Sequence, residues 1–308
     1  MQIALKTLQA IETALELDQG ATYRRHLGEL MPQAGDAYDS KNEPYRTHLG
    51  ASIIGRECPR EVWYSFRWTT RKNFSGRMLR LFNRGHLEEP RFVALLKTIG
   101  CSVWQHDDDG KQFRIKGHRG HFGGSLDAVI QGLPDIPNEP VLGEFKTHND
   151  KSFAKLVAEG VLKAKWEHLV QMQLYMGENN LNWAVYGAAN KNDDSLHFEL
   201  VQFDPAIFKR YKDRAAMIID SNTPPPKINE SPGWFKCKFC DHSPVCHSSA
   251  LPDRNCRTCS KSRILDDGKW QCTDPLASKC GDSDILPKED QWTKCDFYDL
   301  NPVFKNSK

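Results

Sequence analysis

Apolar residues recur along this chain with two different periods. Ile3, Leu5, Leu8, Ile11 and Leu15 fall at helical spacing and predict an amphipathic N-terminal helix, followed by a polar connection rich in Gly, Asp and Ser up to about residue 45. Residues 123–130 and 141–147 are short apolar runs separated by the turn-rich 131–138, which predicts a β-hairpin. Residues 183–189 and 196–201 predict a second one. Between the two, 161–178 sets Leu169, Met172 and Met176 at helical spacing, and another helix is predicted over 205–221, ended by Thr223-Pro224-Pro225-Pro226. The fold class this implies is α/β, a mixed central sheet flanked by helices. No internal repeat and no long low-complexity tract interrupts it.

Three charged residues sit inside the first hairpin. Asp127 lies in its first strand, and Glu144-Phe145-Lys146 in its second. Strand side chains alternate faces, so Glu144 and Lys146 share a side while Phe145 takes the other, and two carboxylates and an ammonium can converge. Magnesium or manganese suits such a site: it takes hard oxygen ligands, needs only one or two protein carboxylates and retains waters. Asp127 and Glu144 would be the ligands, with the Phe145 carbonyl as an additional one. Lys146 would orient a water or neutralise charge growing on phosphorus. A surface hairpin with an exposed salt pair gives the same short pattern.

With its neighbours this hairpin resembles the PD-(D/E)XK nuclease superfamily, specifically the RecB-like and YqaJ-like exonucleases, in which these strands are followed by a helix carrying QxxxY. Gln171-Met172-Gln173-Leu174-Tyr175 supplies that motif, and Gln171 and Tyr175, four apart, share a helix face. The resemblance implies a restriction-endonuclease-like core in which this face borders the site and contacts the DNA or the metal's water. Upstream, Phe82-Asn83-Arg84-Gly85-His86-Leu87-Glu88-Glu89-Pro90 matches two patterns: the histidine that RecB-like enzymes use as a further metal ligand, and the GxxxEP of the YqaJ-like ones. His86 and Glu89 are three apart on a helix and share a face with Phe82 and Val93. A lone histidine beside apolar neighbours also reads as a satisfied structural residue. Pro90 lacks an amide and would clash with the His86 carbonyl, which predicts a kink or a fresh helix start.

The cysteines give a second signal. Of ten, Cys58 and Cys101 stand alone in the first two thirds and eight fall between Cys237 and Cys295. No apolar run reaches the roughly 20 residues that cross a bilayer, and residues 1–6 do not look like a signal peptide. A reducing, cytoplasmic location is therefore expected, that of the host if the chain is phage-encoded. Clustered C-x2-C pairs there argue for metal over disulfides. Cys237, Cys240 and Cys246 with the distant Cys58, in its Cys-Pro-Arg context, resemble the one-plus-three set of AddB and of the CRISPR adaptation nucleases. That resemblance implies a 4Fe-4S cluster clasping the ends of the nuclease domain. On spacing alone, zinc held by the trio with His242 or Cys256 stays open. Cys256, Cys259, Cys272 and Cys295 look like the C-terminal zinc-ribbon appendix of phage-type exonucleases, with Cys280 competing for the last place.

Composition changes the picture little. At 308 residues and 39 % hydrophobic content the chain can bury one good-sized core and carry small modules. A net charge of +2 leaves DNA binding to local charge: Arg56, Arg60, Arg67, Arg71, Lys72, Arg77, Arg80 and Arg84 are interleaved with Trp63, Tyr64, Phe66 and Trp68. A solvated basic helix face would read the same way. Lys151, Lys155, Lys163 and Lys165 form a second basic set. The expected organisation is an N-terminal helical segment (1–45), a nuclease core (46–222), an iron-sulfur segment (223–250, with Cys58) and a zinc-ribbon-like tail (251–308). The expected function is a Mg2+- or Mn2+-dependent DNA exonuclease of end processing, recombination or repair, acting on DNA with a recombinase or single-strand-binding partner and no membrane. Two other readings stay open: a silent nuclease fold kept as a DNA-binding or recruitment module, and an endonuclease or CRISPR-like trimming nuclease. Relatives of the YqaJ type often form rings, but no stretch of this chain reports an interface.

Overall fold

The computed structural model describes residues 1–38, 43–276 and 285–305. It contains two compact units: Met1–Lys41, Phe74–Ile115 and Ser125–Lys209 form the first, and Asn42–Asn73, Lys116–Gly124 and Arg210–Lys308 the second. The chain begins in the first unit with β1 (Gln2–Ile3), α1 (Leu5–Leu17) and α2 (Ala21–Leu30), and enters the second for β2 (Leu49–Gly50), α3 (Ala51–Ile54) and α4 (Pro59–Phe66). It returns with α5 (Gly76–Thr98) and β3 (Ser102–Trp104), then runs through β4 (Arg114–Gly117) and β5 (Phe122–Ser125). The first unit is completed by β6 (Ala128–Gln131), β7 (Val141–His148), α6 (Asp150–Ala164), α7 (Trp166–Asn179), β8 (Trp183–Asn190) and β9 (Leu196–Gln202). After α8 (Pro205–Asp220) come α9 (Phe235–Lys238), α10 (Ser243–His247), β10 (Ser262–Ile264) and β11 (Trp270–Cys272).

The first unit is built on a six-stranded sheet in the order β1-β9-β8-β7-β6-β3. β7 and β8 run parallel and the other pairs antiparallel, so the sheet is mixed and the class is α/β with flanking helices. Val141 and Phe145 of β7, Val185 and Ala189 of β8, and Phe198 and Leu200 of β9 point to one face. There they meet Ile11 of α1 and Phe92, Val93 and Leu96 of α5. Phe145 stacks on Phe92 with centroids 4.9 Å apart, and each such buried side chain contributes roughly 1.5–3 kcal/mol. Gly187 lies among these rings: a Cβ there would come within 3.0 Å of Phe145 and 3.2 Å of Phe92. The opposite face of β7 and β8 is covered by α6 and α7.

Four elements differ from what periodicity implies. The single strand expected over 123–130 divides into β5 and β6, which belong to different sheets, with Leu126 and Asp127 between them. Gln2 and Ile3 pair with Leu200 and Glu199 as a strand, so the amphipathic helix starts at Leu5. The helix over 161–178 is α7 and starts only at Trp166. Gly160 (φ 74°) breaks α6, and the Val161 N–H goes to Glu199 Oε2 at 2.9 Å instead of into the helix. α5 runs unbroken from Gly76 to Thr98 with Pro90 buried inside it, so there is no fresh start at Pro90.

The second unit holds a three-stranded sheet, β2-β5-β4, and the β10-β11 hairpin. Its interior is organised by cations among aromatic rings. Arg257, fully buried, lies 3.7 Å over the Trp68 ring and donates to Phe66 O at 3.0 Å and Thr47 O at 2.6 Å. Arg67 sits between Trp63 and Trp270, 5.3 and 5.2 Å from their centroids. No helix is long and apolar enough to cross a membrane among the described residues.

Candidate active site

The turn before β6 and the outer face of β7 build the site. Asp127 stands just ahead of β6, outside the strand itself. Its Oδ2 accepts the Phe145 N–H at 2.8 Å and lies 3.4 Å from the Lys146 ammonium. Because side chains on β7 alternate, Phe145 enters the core while Glu144, Lys146 and His148 line the opposite face. Lys146 Nζ lies 2.5 Å from Glu144 Oε1 and donates to the Phe145 carbonyl at 3.0 Å. The carbonyl named as an additional ligand is thus engaged by the lysine.

Electrostatics at this point are unbalanced. Glu144 is fully buried, and burial pushes its carboxyl up to about 7; Lys146 pulls it down and Asp127 adds to the rise. Burial also opposes the Lys146 charge, but the carboxylates of Asp127 and Glu144 outweigh it and hold the ammonium well above its ordinary value. Glu144 Oε1 is thus paired with the Lys146 ammonium, while its Oε2 accepts from Gln171. Two carboxylates served by one ammonium make a donor set that fits a hard divalent cation. Among the described residues no three His, Cys, Asp or Glu side chains are grouped to hold one metal ion, so Asp127 and Glu144 meet here without a third such side chain beside them.

Helix α7 covers the site. Gln171 Nε2 donates to Glu144 Oε2 at 3.3 Å and to the Tyr175 hydroxyl at 3.2 Å, and both side chains are buried. Burial, reinforced by the charges of Glu144 and Asp127, raises the Tyr175 phenol far above its usual range, so it stays protonated. His86 and Glu89 on α5 line a cavity of about 210 Å3 together with Gln105, His106, Gln112 and Arg114. Gln105 Nε2 donates to the Asp127 carbonyl at 3.2 Å, which ties the wall of that cavity to the site.

The thiols fall into two groups in the second unit. Cys58 caps α4, its sulfur accepting the Glu61 N–H at 3.5 Å. Burial first, then the charges of Cys58 and Cys246, raise the Cys237 thiol, and burial pushes Cys240 up to about 11. His242 is not free to replace Cys58 as a ligand: Ser65 Oγ lies 2.9 Å from its Nε2 and Thr69 Oγ1 3.0 Å from its Nδ1. Farther along, Cys256, Cys259 and Cys295 line a small cavity of about 20 Å3 with Arg254 and Tyr298. Cys272 ends β11 and does not line it; Cys280 lies outside the described residues.

Sequence reasoning passed over His148, His168 and Tyr186, which adjoin this face. The signal was present: His148 follows Glu144 by four on one strand face, and His168 precedes Gln171 by three on one helix face. Tyr186 could not be found that way, because only the β7–β8 register places it beside Glu144.

No protein-family model matches the chain, and no curated protein matches it. Among solved structures, LHK-Exo in complex with dAMP is similar at 19 % identity and a TM-score of 0.41, over 56 % of this chain and 86 % of that one. A second structure of this alkaline exonuclease, from Laribacter hongkongensis, gives 18 % and 0.41 over the same shares. SSO0001 gives 16 % and 0.37, over 71 % of this chain and 95 % of that one.

Proposed function

We propose that the protein is a divalent-metal-dependent DNA exonuclease. The observation that carries this reading is the meeting of Asp127, just ahead of β6, with Glu144 and Lys146 of β7, two carboxylates around a single ammonium. Asp127 and Glu144 would hold Mg2+ or Mn2+; Glu89 or His86 would serve as a further ligand only by approaching from the cavity that they line. When bound, such an ion supplies the Lewis acidity that phosphodiester hydrolysis needs. Lys146 holds a fixed positive charge where negative charge grows on the phosphate. Gln171 keeps Glu144 in place, and Tyr175 keeps Gln171 in place.

DNA as substrate is supported by the first half of α5. Arg77, Arg80 and Arg84 project with the exposed Phe74 and Phe82, and no acidic residue occurs from Arg71 to Leu87. Such a surface suits phosphates and stacked bases. In the second unit, Cys58, Cys237, Cys240 and Cys246 would hold a 4Fe-4S cluster. The one-plus-three spacing of these thiols, with Cys58 at the start of α4, is what supports this assignment. The small cavity lined by Cys256, Cys259 and Cys295 would take Zn2+. The role we assign is DNA end processing or recombination, with a recombinase or single-strand-binding partner.

The test is digestion of DNA with Mg2+ or Mn2+. Wild type is expected to degrade linear DNA and spare closed circles, and Lys146→Ala is expected to lose cleavage by at least about a hundredfold while still binding DNA. Degradation of linear DNA at the same rate by Lys146→Ala would overturn the assignment. Nicking of closed circles would replace exonuclease by endonuclease.

A further inference from the structure

Behind Lys146 a chain of polar side chains crosses the interior of the first unit. Lys165 Nζ donates to Ser152 Oγ at 2.6 Å, and Ser152 Oγ lies 3.0 Å from His148 Nδ1. His148 Nε2 lies 3.0 Å from the Tyr186 hydroxyl, which is also 2.8 Å from His168 Nδ1. Two histidines thus converge on one phenol. A phenol has a single proton, so it can donate to only one of them and must accept an N–H from the other.

Burial keeps both rings neutral, holding His148 down at about 4 and His168 at about 3, and a neutral imidazole has one N–H and one acceptor nitrogen. The chain therefore runs in one of two senses, from Ser152 through His148 and Tyr186 to His168 or the reverse, and in both the phenol donates to one ring and accepts from the other.

This chain joins the three elements that carry the proposed site. His148 shares the β7 face with Glu144 and Lys146. Tyr186 is the register partner of Glu144 on β8. His168 lies one turn from Gln171 on α7, and Gln171 donates to Glu144. We infer that Tyr186 and His168 are positioning residues: they clamp α7 against β7 and β8 so that Gln171 holds Glu144 in the orientation a metal ion requires. This inference rests on the nuclease reading above. Outer hydrogen-bonding partners of metal ligands typically change metal affinity or activity by about 10- to 100-fold when removed.

The experiment compares wild type with Tyr186→Phe, His168→Leu and His168→Asn, measuring Mn2+ binding by calorimetry without DNA, single-turnover cleavage, and melting temperature. Tyr186→Phe and His168→Leu are each expected to weaken Mn2+ binding and slow cleavage by about tenfold or more. Combined, they should do little worse than either alone, since each breaks the same chain. His168→Asn places an amide, which can accept or donate, where Nδ1 lies, and is expected to restore most of both. Unchanged Mn2+ affinity in Tyr186→Phe overturns the inference, even if melting temperature and cleavage fall together, because that is what a merely structural role would give. Wild type that binds Mn2+ but cleaves no DNA would instead remove the nuclease reading, and leaves the Mn2+ comparison readable.

Discussion

Glu144 carries the conflict on which the site turns. Its carboxyl is buried and pushed up to about 7, with one ammonium to serve two acids. A proton and a divalent cation therefore compete for the same oxygens. The sign follows directly: above about 7 the carboxylate is free to bind, and below it each pH unit should weaken Mn2+ binding about tenfold. Mn2+ titrations across this range are expected to show that slope, and Glu144→Gln, which cannot ionise, should bind little metal at any pH. A flat profile in wild type would mean that Glu144 is not a ligand.

Among the elements, β7 and β8 do the most. Their parallel pairing sets Glu144 beside Tyr186 and Gly187 beneath Phe145. Gly187 is there for space, since its Cβ would press on Phe145, Phe92 and Phe198 at once. Gly187→Val is expected to destabilise the protein by about 1–3 kcal/mol in urea unfolding, through displaced rings. The same change one strand face away from the carboxylates should also lower Mn2+ affinity, because Phe145 is the residue between Glu144 and Lys146. Of these elements, both hairpins were legible as apolar runs with turn residues between them, although the first begins only at Ala128 and leaves Asp127 outside its strand. The start of α7 was not: a glycine at positive φ and a distant buried glutamate, Glu199, decide it.

At the scale of the whole molecule, each unit buries histidines in the neutral form. Burial holds His148 at about 4 and His168 at about 3 in the first unit, and His121 and His242 at about 4 in the second. The unfolded chain takes up protons at about 6.5 and the folded one does not. Stability should therefore be level, as far as these groups go, above about pH 7, and fall as pH drops from about 6.5 towards about 4. Each pKa unit is worth about 1.4 kcal/mol, so the four together give an acid loss on the order of 10 kcal/mol, comparable to the whole stability of a domain. Melting curves at intervals through this range check it. For the thiols, anaerobic purification followed by metal analysis is expected to give about four irons and about one zinc per chain. Cys58→Ser should lose the iron and retain the zinc.

Sequence alone determined the chemistry on offer. Hydrophobic period gave α1, α7, α8 and the β8–β9 hairpin, alternation put Glu144 and Lys146 on one side and Phe145 on the other, and the QxxxY resemblance, on residues four apart, pointed to Gln171 with Tyr175. These are local properties, set by bond geometry within a few residues. Only tertiary structure decided that Tyr186 and His168 stand behind the site, that His242 has both ring nitrogens occupied, and that Cys272 stays outside the cavity of its neighbours. Those outcomes depend on strand register and on which buried polar groups find partners, and both are settled by contacts between residues far apart in the chain.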